Sequence, residues 1–337
     1  MTKKVIFRAD GNATTGLGHL YRLFSLAEIV KDTLDFVFLT HETSTDSVIP
    51  ELYAKKGIPK NITIDEEPEW LATSFSAKEY IIIADGYQFT ASYQKQVKQL
   101  GFCLIYIDDL AKEHMHADVV INHSPHINEK HYHKESYTKL ALGTQYALLR
   151  PLFLKVAKQN KTIKRVDSAF ICFGGADPFN LSLKVVEAVL QIKIFKNIHI
   201  VLGAAYKHDE IFNLEEKYSN KIKTYRNLSE EQLIKVMQKC NFAIAPASTI
   251  LYELSCIKMP IFSGFYIDNQ ELIYKGFLDK KAIYKGENMK NYKSSDFLNK
   301  INIILKEAQF NYQIEAQKAL FDDKIALRHL NLIKEIC

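Results

Sequence analysis

Short apolar runs bounded by charge recur along the chain, and between them the apolar positions change to helical spacing. Val5-Ile6-Phe7 is the first such run, and the segments 35–40, 79–85, 102–107 and 119–122 repeat the pattern. Continuous runs of this length predict strands buried on both faces of a parallel sheet. Leu20, Leu23, Phe24, Ala27 and Val30 then recur at helical spacing and predict a helix opening near His19. His41 to Pro50 is polar and reads as a loop. A Lys-, Gln- and Asn-rich crossover from about Leu149 to Arg165 interrupts the pattern, which then restarts. Strands are expected over 168–173, 198–203, 242–245 and 259–262, with helices after Leu183, after a Ser229 cap and from near Ile250. From about Asp296 the chain reads as helical and is expected to pack back across both domains. Strands alternating with helices in this way argue for parallel βαβ units. The expected architecture is α/β: two doubly wound, Rossmann-like domains in tandem with an interdomain cleft, over residues 1–150 and 165–295, followed by a helical segment over 296–337.

Composition narrows the function classes. A length of 337 residues favours two domains. The net charge of +5 is mild and its lysines are scattered, which points away from nucleic acid and suits a small anionic substrate. Five widely spaced cysteines without a C-x-x-C fit a reducing cytoplasm, the expected location. No run of 18 apolar residues occurs, so membrane insertion is not expected, and the N-terminus lacks the apolar region of a signal peptide.

The candidate chemistry lies where strands end. Between the first strand and helix, Asp10 is followed by a small-residue loop with Gly16 and Gly18, then His19 and Arg22 in the first helical turn. Backbone N–H groups at such a turn favour anions. Gly16-x-Gly18 completes neither a dinucleotide fingerprint nor a P-loop, and tight packing alone would also account for it. Asp85, Tyr87, Asp108, Asp109 and Asn122 stand at further strand ends; each fits a turn or cap, and together they describe the wall of a cleft. In the second half, Gly174-Gly175 and Ser248-Thr249 are two more turns suited to phosphate, with Glu253 placed for ribose hydroxyls. A plain N-cap for Ser248 and a solvated face for Glu253 are the alternatives. Six of the eleven histidines lie between 114 and 133, but His114-x-His116 and His131-x-His133 have no carboxylate at a familiar ligand spacing, so neither metal nor cofactor is expected. No G-x-S-x-G supports a hydrolase triad.

These residues carry a resemblance. Asp10, Gly16-Leu17-Gly18-His19 and Arg22 resemble the opening of the UDP-sugar hydrolases of pseudaminic acid biosynthesis, which release UDP from UDP-2,4-diacetamido-2,4,6-trideoxy-β-L-altropyranose. Asp85-Gly86-Tyr87, Asp108-Asp109, the 118–122 and 143–150 segments, Gly174-Gly175-Ala176-Asp177, Ala247-Ser248-Thr249 with Glu253, and Asn269-Gln270 extend the resemblance over residues 3 to 285. It implies a GT-B fold, shared with nucleotide-sugar transferases. It also implies His19 as general base with Tyr87 assisting, UDP held by Gly174, Gly175, Ser248, Thr249 and Glu253, and Asn269 and Gln270 facing the sugar. The glycine at position 86 departs from what would hold the tyrosine most firmly. A UDP-sugar transferase of the same fold is the alternative.

Overall fold

A computed structural model describes residues 3–11, 17–44, 51, 53–307 and 310–336. The chain divides into two compact units, the first reaching Pro151 and resuming at Lys324, the second running from Leu152 to Asp323.

The first unit contains β1 (Lys4–Ala9), α1 (Gly18–Val30), β2 (Phe36–His41), β3 (Lys55–Ile58), α2 (Glu67–Ser74), β4 (Tyr80–Asp85), α3 (Ala91–Gln99), β5 (Cys103–Ile107), β6 (His114–Met115), β7 (Val119–Asn122), β8 (His133–Lys134) and β9 (Lys139–Leu142). Among the described residues, seven strands form one parallel sheet in the order β3-β2-β1-β4-β5-β7-β9, and β6 pairs with β8 alone. Val5 lies opposite Ile81, Ile6 opposite Ile82 and Phe7 opposite Ile83. Alternate residues leave a strand on opposite faces. Accordingly Val5, Phe7, Ile81 and Ile83 pack with Leu20, Leu23, Ala27 and Val30 of α1, while Ile6, Ile82 and Leu104 pack with Leu71 of α2 and Val97 of α3. Burial on both faces explains why these runs are continuously apolar.

The second unit contains α4 (Pro151–Ala157, whose first residue closes the first unit), β10 (Ser168–Ile171), α5 (Leu181–Leu190), β11 (Asn197–Val201), α6 (Glu210–Lys217), β12 (Ile222–Tyr225), α7 (Glu230–Gln238), β13 (Phe242–Pro246), α8 (Thr249–Ile257), β14 (Ile261–Phe265), α9 (Glu271–Asp279), β15 (Tyr284–Asn288), α10 (Ser294–Glu307) and α11 (Phe310–Leu320). Its parallel sheet has the order β12-β11-β10-β13-β14-β15. Ser229 caps α7 through a reciprocal box with Gln232. Ile301, Ile304 and Ile314 of α10 and α11 sit in this unit's own core. In each sheet the strand order reverses once, at β1/β4 and at β10/β13, which marks the carboxyl ends of those strands as the places where a doubly wound sheet takes its ligand.

The final helix, α12 (Ile325–Lys334), rejoins the first unit, with Leu332 and Ile333 in the core beside α1. His329 is fully buried there, its Nε2 3.3 Å from the Ala147 carbonyl. Its Nδ1 has no hydrogen-bond partner among the described residues.

Burial pushes the His329 imidazole down from about 6.5 to about 4. An unfolded histidine takes a proton as pH falls through the upper value, whereas the folded one resists until the lower, so stability is lost as pH falls across that window. His123, also held near 4, acts in the same direction. His329→Leu is expected to remove up to about 3 kcal/mol of that pH-dependent loss. Urea unfolding of wild type and variant at the two ends of the window checks this; equal losses in both would contradict it.

Candidate active site

His19 stands in the first turn of α1, at the carboxyl end of β1, and the end of β4 brings Asp85 beside it. His19 Nδ1 lies 2.7 Å from Asp85 Oδ1. Asp85 is fully buried. The same carboxylate accepts from Arg22 Nη2 at 2.6 Å and from Arg22 Nε at 2.8 Å. On its other side Arg22 donates to Asp109, just past β5, from Nη1 at 2.5 Å and Nη2 at 3.0 Å. One guanidinium therefore clamps two carboxylates, each with two donors.

The electrostatics follow from burial and this clamp. Burial alone would raise the Asp109 carboxyl, but the Arg22 cation overrides it and holds Asp109 well below the usual carboxylate range. Arg22 loses solvation too, yet Asp109 and Asp85 raise its affinity for the proton. An ionised carboxylate only accepts, so the His19 proton belongs on Nδ1, facing Asp85. The lone pair is then left on Nε2. Arg22 Nη2 also lies 2.9 Å from Nδ1, but two donors do not bond each other, and Asp85 is the acceptor for both.

Tyr87, half exposed, sets its ring perpendicular to the imidazole at 5.0 Å between centroids. Its hydroxyl donates to Asp109 Oδ2 at 3.2 Å. The flexible-looking Gly86 is pinned: its carbonyl accepts from Tyr106 Oη and from the Phe89 N–H, each at 3.3 Å. Asp108 and Asn122 go elsewhere. Tyr132 Oη donates to Asp108 at 2.8 Å and Asn122 Nδ2 donates to the same oxygen at 3.2 Å. The strand-end polar residues thus separate into Asp85, Tyr87 and Asp109 around His19, and a second network around Asp108.

Asp10 is drawn into the scaffold. It pairs with buried Arg8 at 2.7 Å and accepts from the His41 N–H at 2.7 Å, fastening the end of β2. Burial would raise its carboxyl, but Arg8 wins and lowers it. Arg8 in turn is gripped by Glu67 through two bonds of 2.8 Å. Gly18 opens α1, and a Cβ there would meet no described atom within 4 Å. Gly16 lies outside the described residues.

In the second unit the two glycine and serine turns differ. Past Gly174, which has a φ of +81°, and Gly175, the Asp177 carboxylate accepts from the N–H groups of Leu181 and Ser182 at 2.8 and 2.7 Å. The first turn of α5 is therefore already occupied by a protein anion. Ser248 occupies the N-cap of α8 but makes no side-chain cap bond, so its hydroxyl is not spent on that job, and Thr249 follows as the first helical residue. Gly203, past β11, packs so closely that a Cβ would fall 2.2 Å from the Gly175 carbonyl, which fixes the Gly174-Gly175 loop from behind. Glu253 is only 5 % exposed, so it does not lie on a solvated face. Cys172 feels it: burial first, then Glu253, pushes that thiol up to about 12. Gln270 is buried and its Oε1 accepts from the Tyr266 N–H at 3.1 Å, with Asn269 beside it in the turn 268–270.

The geometry adds residues that sequence reasoning placed only as cleft wall. Asp85 and Asp109 are the partners of His19 and Arg22, and their signal was a carboxylate ending an apolar run. Buried His123, whose Nδ1 accepts from the Leu148 N–H at 3.2 Å, is held neutral by burial and then by the Arg22 charge. The histidine-rich segment also acquires a carboxylate: Glu135 stands beside His114 and His116.

No protein-family model matches the chain. It is 29% identical over 292 residues to an uncharacterized protein of Methanocaldococcus jannaschii, covering 82% of this chain and 58% of that protein, so the chain spans little more than half of that relative's length. It is 28% identical over 277 residues to the UDP-2,4-diacetamido-2,4,6-trideoxy-β-L-altropyranose hydrolase of Campylobacter jejuni, covering 80% of this chain and 93% of the hydrolase. The Bacillus subtilis spore coat polysaccharide biosynthesis protein SpsG is 24% identical over 282 residues, 81% of this chain and 80% of SpsG. Among solved structures, Acinetobacter baumannii MurG superposes with a TM-score of 0.70 at 13% identity over 99% of both chains. The Anabaena HepE protein in complex with UDP does so with a TM-score of 0.63 at 13% identity, over 98% of this chain and 100% of that one. The chain has the GT-B fold of MurG and is a distant homologue of the Campylobacter hydrolase and of SpsG. Among the described residues no helix is long and apolar enough to cross a membrane.

Proposed function

We propose that this protein hydrolyses a UDP-linked diacetamido-trideoxy sugar to UDP and the free sugar, the activity named for its Campylobacter relative, in nonulosonate biosynthesis of the pseudaminic acid type. The observation that carries the reading is the His19 imidazole held 2.7 Å from Asp85, with Arg22 fixing that carboxylate. Nδ1–H toward Asp85 leaves Nε2 as a base, and the paired carboxylate stabilises the imidazolium formed when a water molecule gives up its proton. That water attacks the anomeric carbon from the face opposite the phosphate, with inversion. Tyr87 flanks the imidazole and shares Asp109 with Arg22.

The second unit supplies the UDP groups. The uncapped N-terminus of α8, with Ser248 and Thr249, is suited to the diphosphate, which leaves without a strong acid because backbone dipoles stabilise its charge. Gly174 and Gly175 permit close backbone approach, and Glu253 accepts from ribose hydroxyls. Asn269 and Gln270 face the sugar. Neither a metal ion nor a cofactor is assigned a role in the reaction. The transferase reading draws support from the MurG-like fold, and differs only in the nucleophile.

Incubation of the full chain with the diacetamido-trideoxy-altrose substrate, and separately with UDP-N-acetylglucosamine, in EDTA and without an acceptor, tests the reading. UDP release from the first is expected. His19→Leu should lower turnover by about 10²–10⁴-fold with UDP affinity unchanged. Near-wild-type turnover in that variant removes His19 as base, and tight UDP binding without release favours a transferase. Glu253→Ala is expected to weaken UDP binding about tenfold or more by calorimetry; an unchanged dissociation constant rejects the ribose role.

A further inference from the structure

We propose that His114, His116 and Glu135 form a divalent metal site of the zinc class on the small β6–β8 sheet, a site that shares no residue with the His19 cluster. Glu135 Oε1 lies 3.0 Å from His114 Nε2 and 3.1 Å from His116 Nδ1. One ligand atom from each of the three residues falls within 4.8 Å of the others. Around a tetrahedral zinc with bonds of about 2.0–2.1 Å, ligand atoms stand about 3.3 Å apart. The two Glu135–histidine separations need to widen only slightly to match that spacing, and the remaining positions would be filled by water.

The backbone holds these ligands in place. His114 and His116 alternate on an extended segment, so both leave it on one face. β6 pairs with β8 through His114 opposite His133 and Met115 opposite Lys134. The Glu135 N–H donates to the Met115 carbonyl at 3.1 Å, and Tyr137 Oη donates to the His116 carbonyl at 3.0 Å. The His116 N–H is in turn fixed by Gln94 Oε1 at 3.1 Å. Ligands carried by such a braced backbone need little ordering when the ion arrives. Of the neighbouring cations, Lys98 is already paired with Asp118 at 2.6 Å. Two imidazoles and a carboxylate suit zinc over magnesium, which favours all-oxygen sites. The bound ion would tie the segment after β8 to β6.

Calorimetric titration of the EDTA-treated, desalted full chain with zinc chloride tests the site. Saturable binding of one zinc per chain is expected, without binding of magnesium. His114→Ala, at a half-exposed position whose loss spares the core, and Glu135→Gln should each weaken zinc binding about tenfold or more. Zinc at about a hundred times its dissociation constant should raise the wild-type melting temperature by about 3–8 °C, and much less in either variant. No binding by the wild type, or equal binding by wild type and both variants, which would place the ion on other side chains, overturns the proposal.

Discussion

Arg22 is the charge on which the first unit's candidate site depends. Two carboxylates, Asp85 and Asp109, are carried to neighbouring strand ends by the parallel pairing of β4 and β5, and both are withdrawn from water. Unneutralised, two such buried charges would repel each other. The guanidinium fork, entering from the start of the second turn of α1, satisfies both. Asp85 is then held in place beside His19 Nδ1, so a helix, two strands and one cation together orient the imidazole.

The two units solve the same topological problem differently. Both are doubly wound sheets with one reversal of strand order, and both place polar loops at the carboxyl ends of the strands flanking it. The first unit fills that position with titratable groups suited to moving a proton. In the second, α5 is closed by Asp177, while Ser248 at the start of α8 makes no side-chain cap bond. The proposed function assigns the proton transfer to the first unit and the diphosphate to the second.

Much of the fold was legible because the central strands are buried on both faces, and continuous apolar runs such as Tyr80–Ala84 follow directly from that. The edge strands were not. β3 is exposed over Lys55 to Gly57 and β15 reads Tyr-Lys-Gly-Glu-Asn, because an edge needs little apolar surface and is protected by charge. His19 and Arg22 stood out beside their glycines. The pairing of Arg22 with Asp85 and Asp109 did not, since it joins residues 63 and 87 positions apart. Glu135 escaped notice for the same reason: it meets His114 only through the pairing of two very short strands. Asp10 opens the motif that carries the resemblance, and its pairing with Arg8 and the His41 backbone follows from a buried arginine that the sequence alone does not reveal.

The most direct measurement is turnover of the diacetamido-trideoxy-altrose substrate in water carrying heavy oxygen, with both products examined by mass spectrometry. Attack on the anomeric carbon predicts that the label appears in the released sugar and that UDP carries none. Label in UDP would mean that water attacks phosphorus, and would contradict the role given to His19 and to the clamp that holds it.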